Sequence, residues 1–152
     1  MPAWFDQAGF RRRGFQPEGG ATRADFWASF RKLEELLGRL HRAGVRIVAE
    51  TDGSGLELVR KLELYVESGF TPAEALAAAT IVLAQMVGAG SHTGSVAVGK
   101  DADLALVDGD PSRSIGDLRH VHTVMMDGKL MDADKLRAAV GISKRSAYSM
   151  SE

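Results

Sequence analysis

The sequence predicts an α/β fold, and three observations support this class. A helical pattern over residues 22–43 is followed, after the single residue Gly44, by a β-branched run at residues 45–49 that is typical of a strand. Two further helical segments come next, and beyond Gly90 the apolar pattern changes to a strand-like period. A helix joined to a strand by one residue is typical of the layers of parallel α/β proteins.

The composition favours a globular, soluble protein and argues against several classes of binding protein. Of the 152 residues, 45% are hydrophobic, which is enough to form a core. The 19 basic and 20 acidic side chains leave a net charge of -1, so no overall field favours nucleic acid or an acidic membrane surface. The basic cluster Arg11-Arg12-Arg13 is typical of a solvated loop. Because there is no cysteine, long apolar run or secretory pattern, we expect a cytoplasmic protein with no nucleic-acid or membrane partner.

The first helix is predicted from an apolar stripe. Its members recur at steps of four, three, four and three residues, which places them on one face of a helix. Gly44 ends this helix, and residues 1–21 precede it as an irregular leader rich in glycine. The stripe consists of Phe26, Phe30, Leu33, Leu37 and Leu40.

Two more helices are predicted after the strand. Residues 56–68 carry leucine and valine at helical spacing, and Gly69 ends the segment. The next helix has a clear beginning in Thr71-Pro72-Ala73-Glu74. This sequence combines a capping hydroxyl, a proline at the first helical position and a glutamate that can reach back to the cap. The alanine-rich helix that follows is expected to continue to about residue 87.

The last part of the chain predicts short strands, a hairpin and a final helix. Asp127-Gly128 is a strong signal for a two-residue turn between two strands. Asp132 is placed to cap a helix over residues 133–140. The expected strands are residues 94–97, 102–107, 121–125 and 129–131, and residues 143–152 are expected to form a flexible tail.

The order and spacing of these segments point to a known family. Ala43-Gly44-Val45-Arg46-Ile47-Val48-Ala49 with Thr51-Asp52 comes first, residues 62–80 follow, and residues 94–111 with Val124 and Asp127-Gly128 complete the series. Together these stretches resemble the carboxyl-terminal part of the amidohydrolase superfamily, most closely its imidazolonepropionase-like branch of metal-dependent hydrolases. The likeness covers about residues 26 to 142.

This resemblance implies a specific α/β architecture. The chain would be the carboxyl-terminal part of a (β/α)8 metal-dependent hydrolase barrel. It would hold the last strand and following helices over residues 22–88, and half of the small composite β-domain over residues 89–142. In such barrels the site lies at the carboxyl ends of the strands. Asp52 follows the last strand directly, so the resemblance assigns it metal binding and acceptance of a proton from the bound water.

The resemblance also implies that the site is incomplete in this chain. The family's His-x-His pair and its other ligands lie upstream of the matched region, and none is present here. Since such a site needs at least three protein ligands, we expect a divalent metal, zinc in this family, only in the complete enzyme. The expected partners are a small amide or cyclic amide substrate, and either the missing amino-terminal barrel segment or a second copy of the chain.

Two positions depart from the family pattern. Glu50 stands where the family usually has glycine, and strand alternation turns it to the same side as Asp52, into the barrel. Val59 and Lys61 stand where the family often has histidine and glutamate, so a polar pair near the site is lost. Both changes favour a chain in which the requirements of the family's catalytic function are relaxed.

The histidines have simpler explanations than metal binding. His120 and His122 have the spacing of a metal pair, but their place just before the hairpin favours exposed strand histidines. His41 and His92 are isolated, so each is expected to be solvent-exposed rather than a ligand.

The acidic cluster and the glycine-rich loop also have simpler explanations. Four carboxylates lie within ten residues but lack the spacing of a calcium loop, so they are expected at strand edges and in turns. Gly53-Ser54-Gly55 is expected to be a flexible loop rather than an anion site. The four acidic residues are Asp101, Asp103, Asp108 and Asp110.

Two functional hypotheses follow from the sequence. The first is a hydrolase that uses metal-activated water to cleave carbon–nitrogen bonds other than peptide bonds, cyclic amides among them, present here as a fragment that is inactive alone. The alternative is a non-catalytic accessory or dimerising module derived from such an enzyme. A His-x-His strand encoded upstream of Met1 would distinguish the two hypotheses.

Overall fold

The computed structural model describes residues 22–52 and 57–142. The expected leader at residues 1–21, the tail at residues 143–152, the arginine cluster and the Gly53-Ser54-Gly55 loop lie outside these residues. Within the described part, a helical region is followed by a three-stranded antiparallel sheet. The prediction of mixed helices and strands is therefore confirmed.

The first helix, α1, spans Arg23–Arg42, close to the predicted bounds. It begins with a capping box, because the Thr22 hydroxyl accepts from the Asp25 N–H while the Asp25 carboxylate accepts from the Thr22 N–H. The apolar stripe reaches the core only in part. Leu37 packs against the core, whereas Leu33 remains 63% exposed.

The strand predicted at residues 45–49 is not a strand in this chain. Residues 45–50 lie in no helix or sheet, although Ala49 is only 1% exposed and belongs to the core. The physical reason is that a strand needs a neighbour, and the described residues supply none beside this segment. Instead, the Ala49 N–H donates to the Ala78 carbonyl at 3.0 Å, at the end of a helix.

Three helices follow the segment. Helix α2 spans Leu58–Glu67, α3 spans Pro72–Ala79 and α4 spans Ile81–Met86. The predicted start of α3 is confirmed, since the Thr71 hydroxyl accepts from the Glu74 N–H and the Glu74 carboxylate accepts from the Thr71 N–H. The core of this region consists of Ala49, Leu62, Tyr65, Phe70, Ala75, Ala78 and Ile115.

The single helix predicted over residues 72–87 is broken into two, which corrects the prediction. The break lies at Thr80, whose backbone leaves the helical region with φ -126° and ψ -99°. Its hydroxyl donates to the Leu76 carbonyl at 2.7 Å, and the neighbouring Ala78 carbonyl accepts from the Ala49 N–H. The Thr80 hydroxyl competes for a backbone carbonyl of the helix, and the Ala78 carbonyl is used by a residue outside the helix. Both contacts favour an interruption of the helix at Thr80.

The sheet is formed by Leu104–Val107 (β1), Val121–Met126 (β2) and Lys129–Asp132 (β3), in the order β1-β2-β3. The predicted turn is confirmed, because Asp127 and Gly128 have φ of 50° and 72° and connect the paired Met126 and Lys129. A 3-10 helix at Ile115–His120 precedes β2, and α5 at Ala133–Ala139 follows β3.

One predicted strand is absent and one predicted cap is confirmed in this part of the chain. Residues 94 and 95 form a bend and residues 96 and 97 lie in no helix or sheet, and Gly94 has a φ of 85°, which a strand does not allow. The Asp132 carboxylate accepts from the Lys135 N–H at 3.0 Å, as expected for the cap of α5.

We predict that Gly38→Ala destabilises the chain. Gly38 is buried where α1 approaches the end of α2, and a methyl group there would overlap the Ser68 carbonyl oxygen. Overpacking of this kind costs about 1–3 kcal/mol. Urea unfolding should show this loss, whereas the control Gly116→Ala, which meets open space, should change the free energy of unfolding by less than about 0.5 kcal/mol. Equal effects of the two substitutions would contradict the close helix contact.

Candidate functional site

Asp52 is exposed at the end of residues 45–52, which we call the Asp52 segment and in which Ala49 is buried in the core. Among the residues that the structure describes, no hydrogen bond or ion pair engages its carboxylate. The side chain is therefore neither buried in a turn nor held by neighbouring amides from the described residues. A carboxylate in this state can accept a proton or bind a cation brought to it.

The backbone before Asp52 is held by two side chains of α2. The Tyr65 hydroxyl donates to the Val48 carbonyl at 2.9 Å, and the Lys61 ammonium donates to the Glu50 carbonyl. Tyr65 is 7% exposed and stacks on Phe70, with ring centroids 5.0 Å apart. Helix α2 thus holds the backbone at Val48 and Glu50, shortly before Asp52.

Glu50 has an exposed side chain in this chain, next to the exposed Asp52. Burial is the main cause that raises the pKa of Tyr65, and the negative charge of Glu50 raises it further. Lys61, the second departure from the family pattern, contacts the Glu50 backbone and not its carboxylate.

The described residues do not form a metal site by themselves. Over residues 22–52 and 57–142, no group of three or more histidine, cysteine, aspartate or glutamate side chains could hold an ion. Asp52 supplies one oxygen donor, whereas sites of this class use at least three protein ligands. The donor set present in this part of the chain therefore does not fit a complete metal centre.

The histidines do not gather around Asp52. His120 and His122 are both exposed as expected, but His120 ends the 3-10 helix and only His122 lies in β2. His92 is exposed in a loop, as predicted. The prediction of an exposed His41 is wrong, because its ring stacks on Phe70 with centroids 3.7 Å apart and its side chain is only 24% exposed.

The acidic cluster has structural roles, as predicted. The Asp103 carboxylate accepts from the Asp127 N–H at 2.7 Å and fixes the hairpin turn. The Ser112 hydroxyl donates to Asp110 at 2.5 Å, and this bond is the main cause that lowers the pKa of the Asp110 carboxyl. Asp108 lies 3.8 Å from His122, and Asp101 is exposed.

A charged contact that the sequence did not indicate joins α2 to the 3-10 helix. Arg119 donates two hydrogen bonds to the Glu63 carboxylate, at 2.8 and 2.9 Å, across 56 positions of sequence. Arg60 adds a bond to Glu63 at 3.3 Å and pairs with Glu67 at 2.6 Å. The helix that supports the Asp52 segment is therefore tied to the part of the chain that carries the sheet.

This contact predicts a pH-dependent contribution to stability. Burial works to raise the pKa of Glu63, but the bonds and charges of Arg119 and Arg60 outweigh it and hold the pKa of this carboxyl below its ordinary value. Because the pKa is lower in the folded state, the stabilisation is present above the unfolded pKa and is lost as pH falls through the folded value.

We therefore expect Glu63→Gln to cost about 1 kcal/mol at pH 7, since Arg119 is half-exposed and its charge is screened. The difference from the unsubstituted chain should shrink below a pH of about 4.5. Urea unfolding at several pH values measures it, with Glu35→Gln on the exposed side of α1 as control. A difference that stays constant down to pH 3 would contradict the ion-pair explanation.

Comparison with protein families identifies the family of this chain. A model described as the amidohydrolase family matches residues 31–131, which include the Asp52 segment, all of α2 to α4 and most of the sheet. The chain belongs to the amidohydrolase family. The resemblance predicted from the sequence is thereby confirmed.

Individual amidohydrolases agree with this assignment. The chain is 38% identical over 106 residues to an imidazolonepropionase of Geobacillus kaustophilus and 36% identical over 99 residues to one of another Geobacillus strain. It also resembles a solved Xaa-Pro dipeptidase with bound methionine in the active site, at 28% identity and a TM-score of 0.62.

The matched stretches cover only part of these proteins. They span 63% and 59% of this chain but 25% and 23% of the two imidazolonepropionases. The dipeptidase match covers 66% of this chain and 25% of the dipeptidase. The chain thus spans about a quarter of the length of the relatives that it matches. In addition, no helix over the described residues is long and apolar enough to cross a membrane.

Proposed function

We propose that this chain supplies the acidic residue Asp52 to a hydrolase of the amidohydrolase family. The proposed reaction is hydrolysis of a carbon–nitrogen bond other than a peptide bond, with small cyclic amides as the substrate class. In the complete enzyme, Asp52 would be one of the protein ligands of a divalent metal, zinc in this proposal, which would supply water with its pKa lowered from about 15.7 towards 7. The Asp52 carboxylate would accept the proton of that water.

The observation that carries this proposal is the placement of Asp52. Its carboxylate is exposed, has no partner among the described residues and extends from a segment anchored by Tyr65 and Lys61. The family match includes this position. The similarity to two imidazolonepropionases supports a cyclic amide as substrate.

The architecture that we propose around Asp52 is the end of an eight-stranded α/β barrel. In this proposal residues 45–49 become its last strand, α2 to α4 are the helices that follow, and residues 89–142 form half of a small β-domain. The remaining strands and metal ligands then lie on polypeptide that has no counterpart in the described residues. The buried Ala49 beside an unpaired backbone supports this architecture.

The alternative function is a non-catalytic accessory or dimerising module derived from such an enzyme. It is favoured by the lack of a complete metal-ligand group in the described residues and by the two departures from the family pattern, at Glu50 and at the pair Val59 and Lys61. The two candidates differ in whether Asp52 contributes to a reaction once the remaining ligands are present.

We predict that the 152-residue chain alone neither retains zinc nor hydrolyses an imidazolone, because one carboxylate cannot replace three ligands. A fusion in which this chain replaces the matched stretch of the Geobacillus kaustophilus imidazolonepropionase, called the chimera below, should do both. Metal analysis and a spectroscopic hydrolysis assay measure these properties. Activity of the chain alone would refute the incomplete site, and a folded, zinc-loaded but inactive chimera would favour the accessory module.

A further inference from the structure

One core side chain of α2 carries a polar group whose partner lies outside the helix. Tyr65 follows Leu62 by three residues and Leu58 by seven, on the face of α2 that packs into the core. A buried tyrosine hydroxyl needs a hydrogen-bond partner. Here the hydroxyl donates to the Val48 carbonyl at 2.9 Å, across 17 positions of sequence. The partner is therefore the backbone four residues before Asp52.

The ring of Tyr65 is held by an aromatic stack. It lies on the ring of Phe70, with centroids 5.0 Å apart and 29° between the ring planes, and Phe70 in turn stacks on His41 of α1. Because Tyr65 is buried in a packed core, its hydroxyl has little freedom to leave the Val48 carbonyl. Burial raises the pKa of Tyr65, and the negative charge of Glu50 raises it further, so the hydroxyl keeps its proton and remains a donor at neutral pH.

The Asp52 segment depends on such bonds, because no strand pairs with it among the described residues. Over this part of the chain, three hydrogen bonds hold residues 48–50 to the helices, and they join Val48 to Tyr65, Ala49 to Ala78 and Glu50 to Lys61. The Lys61 ammonium lies on a flexible four-carbon stem and can follow the Glu50 carbonyl if it moves. The Tyr65 hydroxyl is fixed by its ring, so it is the side-chain donor that can set the position of the segment.

We propose that Tyr65 is a positioning residue, whose hydroxyl fixes the Asp52 segment on α2 and thereby sets where the Asp52 carboxylate lies relative to the substrate. This role rests on the proposed function of Asp52. Four residues, at most about 14 Å of chain, connect Val48 to Asp52, so a shift at Val48 is passed on to the carboxylate. Misplacement of a reacting group by about 1 Å can cost about 100-fold in rate. A backbone carbonyl has two acceptor sites, so the bond to Tyr65 can persist when a neighbouring strand also pairs with Val48.

The alternative is that the hydroxyl contributes only to stability. Tyr65→Phe separates the two roles, because phenylalanine keeps the ring and its stack on Phe70 and removes only the hydroxyl. Glu63→Gln is the matched control in the same helix. It also weakens hydrogen bonds, but the Glu63 carboxylate bonds to Arg119 and Arg60 and not to the Asp52 segment.

The first measurement is hydrogen exchange in the full 152-residue chain. The reporter is the Ala49 amide, which donates to the Ala78 carbonyl, and the reference is the Ala75 amide inside α3. Tyr65→Phe should speed exchange at Ala49 relative to Ala75 by about fivefold or more, since one hydrogen bond that holds the segment is lost. Glu63→Gln should leave this ratio within about twofold. An unchanged ratio in Tyr65→Phe overturns the proposal.

The second measurement is steady-state kinetics of the chimera. Tyr65→Phe should lower kcat by about tenfold or more and change KM by less than about twofold, because the hydroxyl acts on the place of Asp52 and not on substrate binding. Glu63→Gln should leave kcat within about twofold. Equal losses of kcat in the two variants, or a change in KM alone, overturn the positioning role.

The outcomes keep this proposal apart from the proposed function. An active chimera in which Tyr65→Phe changes nothing overturns the role of Tyr65 and leaves the hydrolase intact. A folded chimera without activity counts against the hydrolase. In that case faster exchange at Ala49 still supports Tyr65 as the residue that places Asp52, and unchanged exchange overturns it.

Discussion

Replacing Asp52 with asparagine in the chimera is expected to lower kcat for imidazolone hydrolysis by about 1,000-fold. Asparagine keeps the size of the side chain but has no basic oxygen that can take a proton, and it is a weaker metal ligand. General base catalysis alone contributes about 100- to 10,000-fold, so a loss of this size is consistent with the proposed role. Steady-state kinetics at saturating zinc measure the effect.

Stability provides the control for this substitution. Asp52 is exposed and has no partner among the described residues, so Asp52→Asn should change the free energy of unfolding of the 152-residue chain by less than about 0.5 kcal/mol. The control variant Glu35→Gln, at an exposed acidic residue of α1, should leave kcat within about threefold. Equal losses of activity in both variants would show that general charge, and not the Asp52 position, matters.

Leu62→Ala is expected to have the largest effect on stability, a loss of about 3 kcal/mol. Leu62 is 2% exposed and lies in the core with Ala49 and Tyr65, so its removal leaves a cavity beneath the Asp52 segment. Leucine-to-alanine changes in cores cost about 2–5 kcal/mol, which combines lost burial with the cavity. Urea unfolding of the full chain measures the loss.

Leu33→Ala is the matched control, because the residue type is the same and only the burial differs. Leu33 is 63% exposed in the chain, so its truncation should cost less than about 0.5 kcal/mol there. In the chimera the cost should rise above about 1 kcal/mol if Leu33 becomes covered, since burial of a leucine side chain contributes about 1.5–3 kcal/mol. A loss near 3 kcal/mol for Leu33→Ala in the chain alone would contradict the exposure of this side chain.

The features predicted correctly from the sequence are those that depend on local chemistry. Thr71 and Glu74 lie within one helical turn, and their capping box forms as expected. Asp127-Gly128 forms its turn because both residues tolerate positive φ, and Asp132 caps the final helix.

The features that the sequence did not predict depend on distant partners. Residues 45–49 have a strand composition, but pairing needs a neighbour that the described residues lack. The stacking of His41 on Phe70 and the bonds from Arg119 to Glu63 join residues 29 and 56 positions apart, so no short motif indicates them. The break at Thr80 follows from a helix carbonyl that bonds to Ala49, which again is a tertiary contact.

Zinc titration can show whether Asp52 belongs to a hydrolytic centre whose other ligands lie on additional polypeptide. The samples are the chain, the chimera and the chimera with Asp52→Asn. We expect no stoichiometric binding by the chain alone, tight binding by the chimera and an affinity at least about tenfold lower after Asp52→Asn. Equal zinc affinity of the two chimeras, together with equal rates of hydrolysis, would contradict this assignment of Asp52.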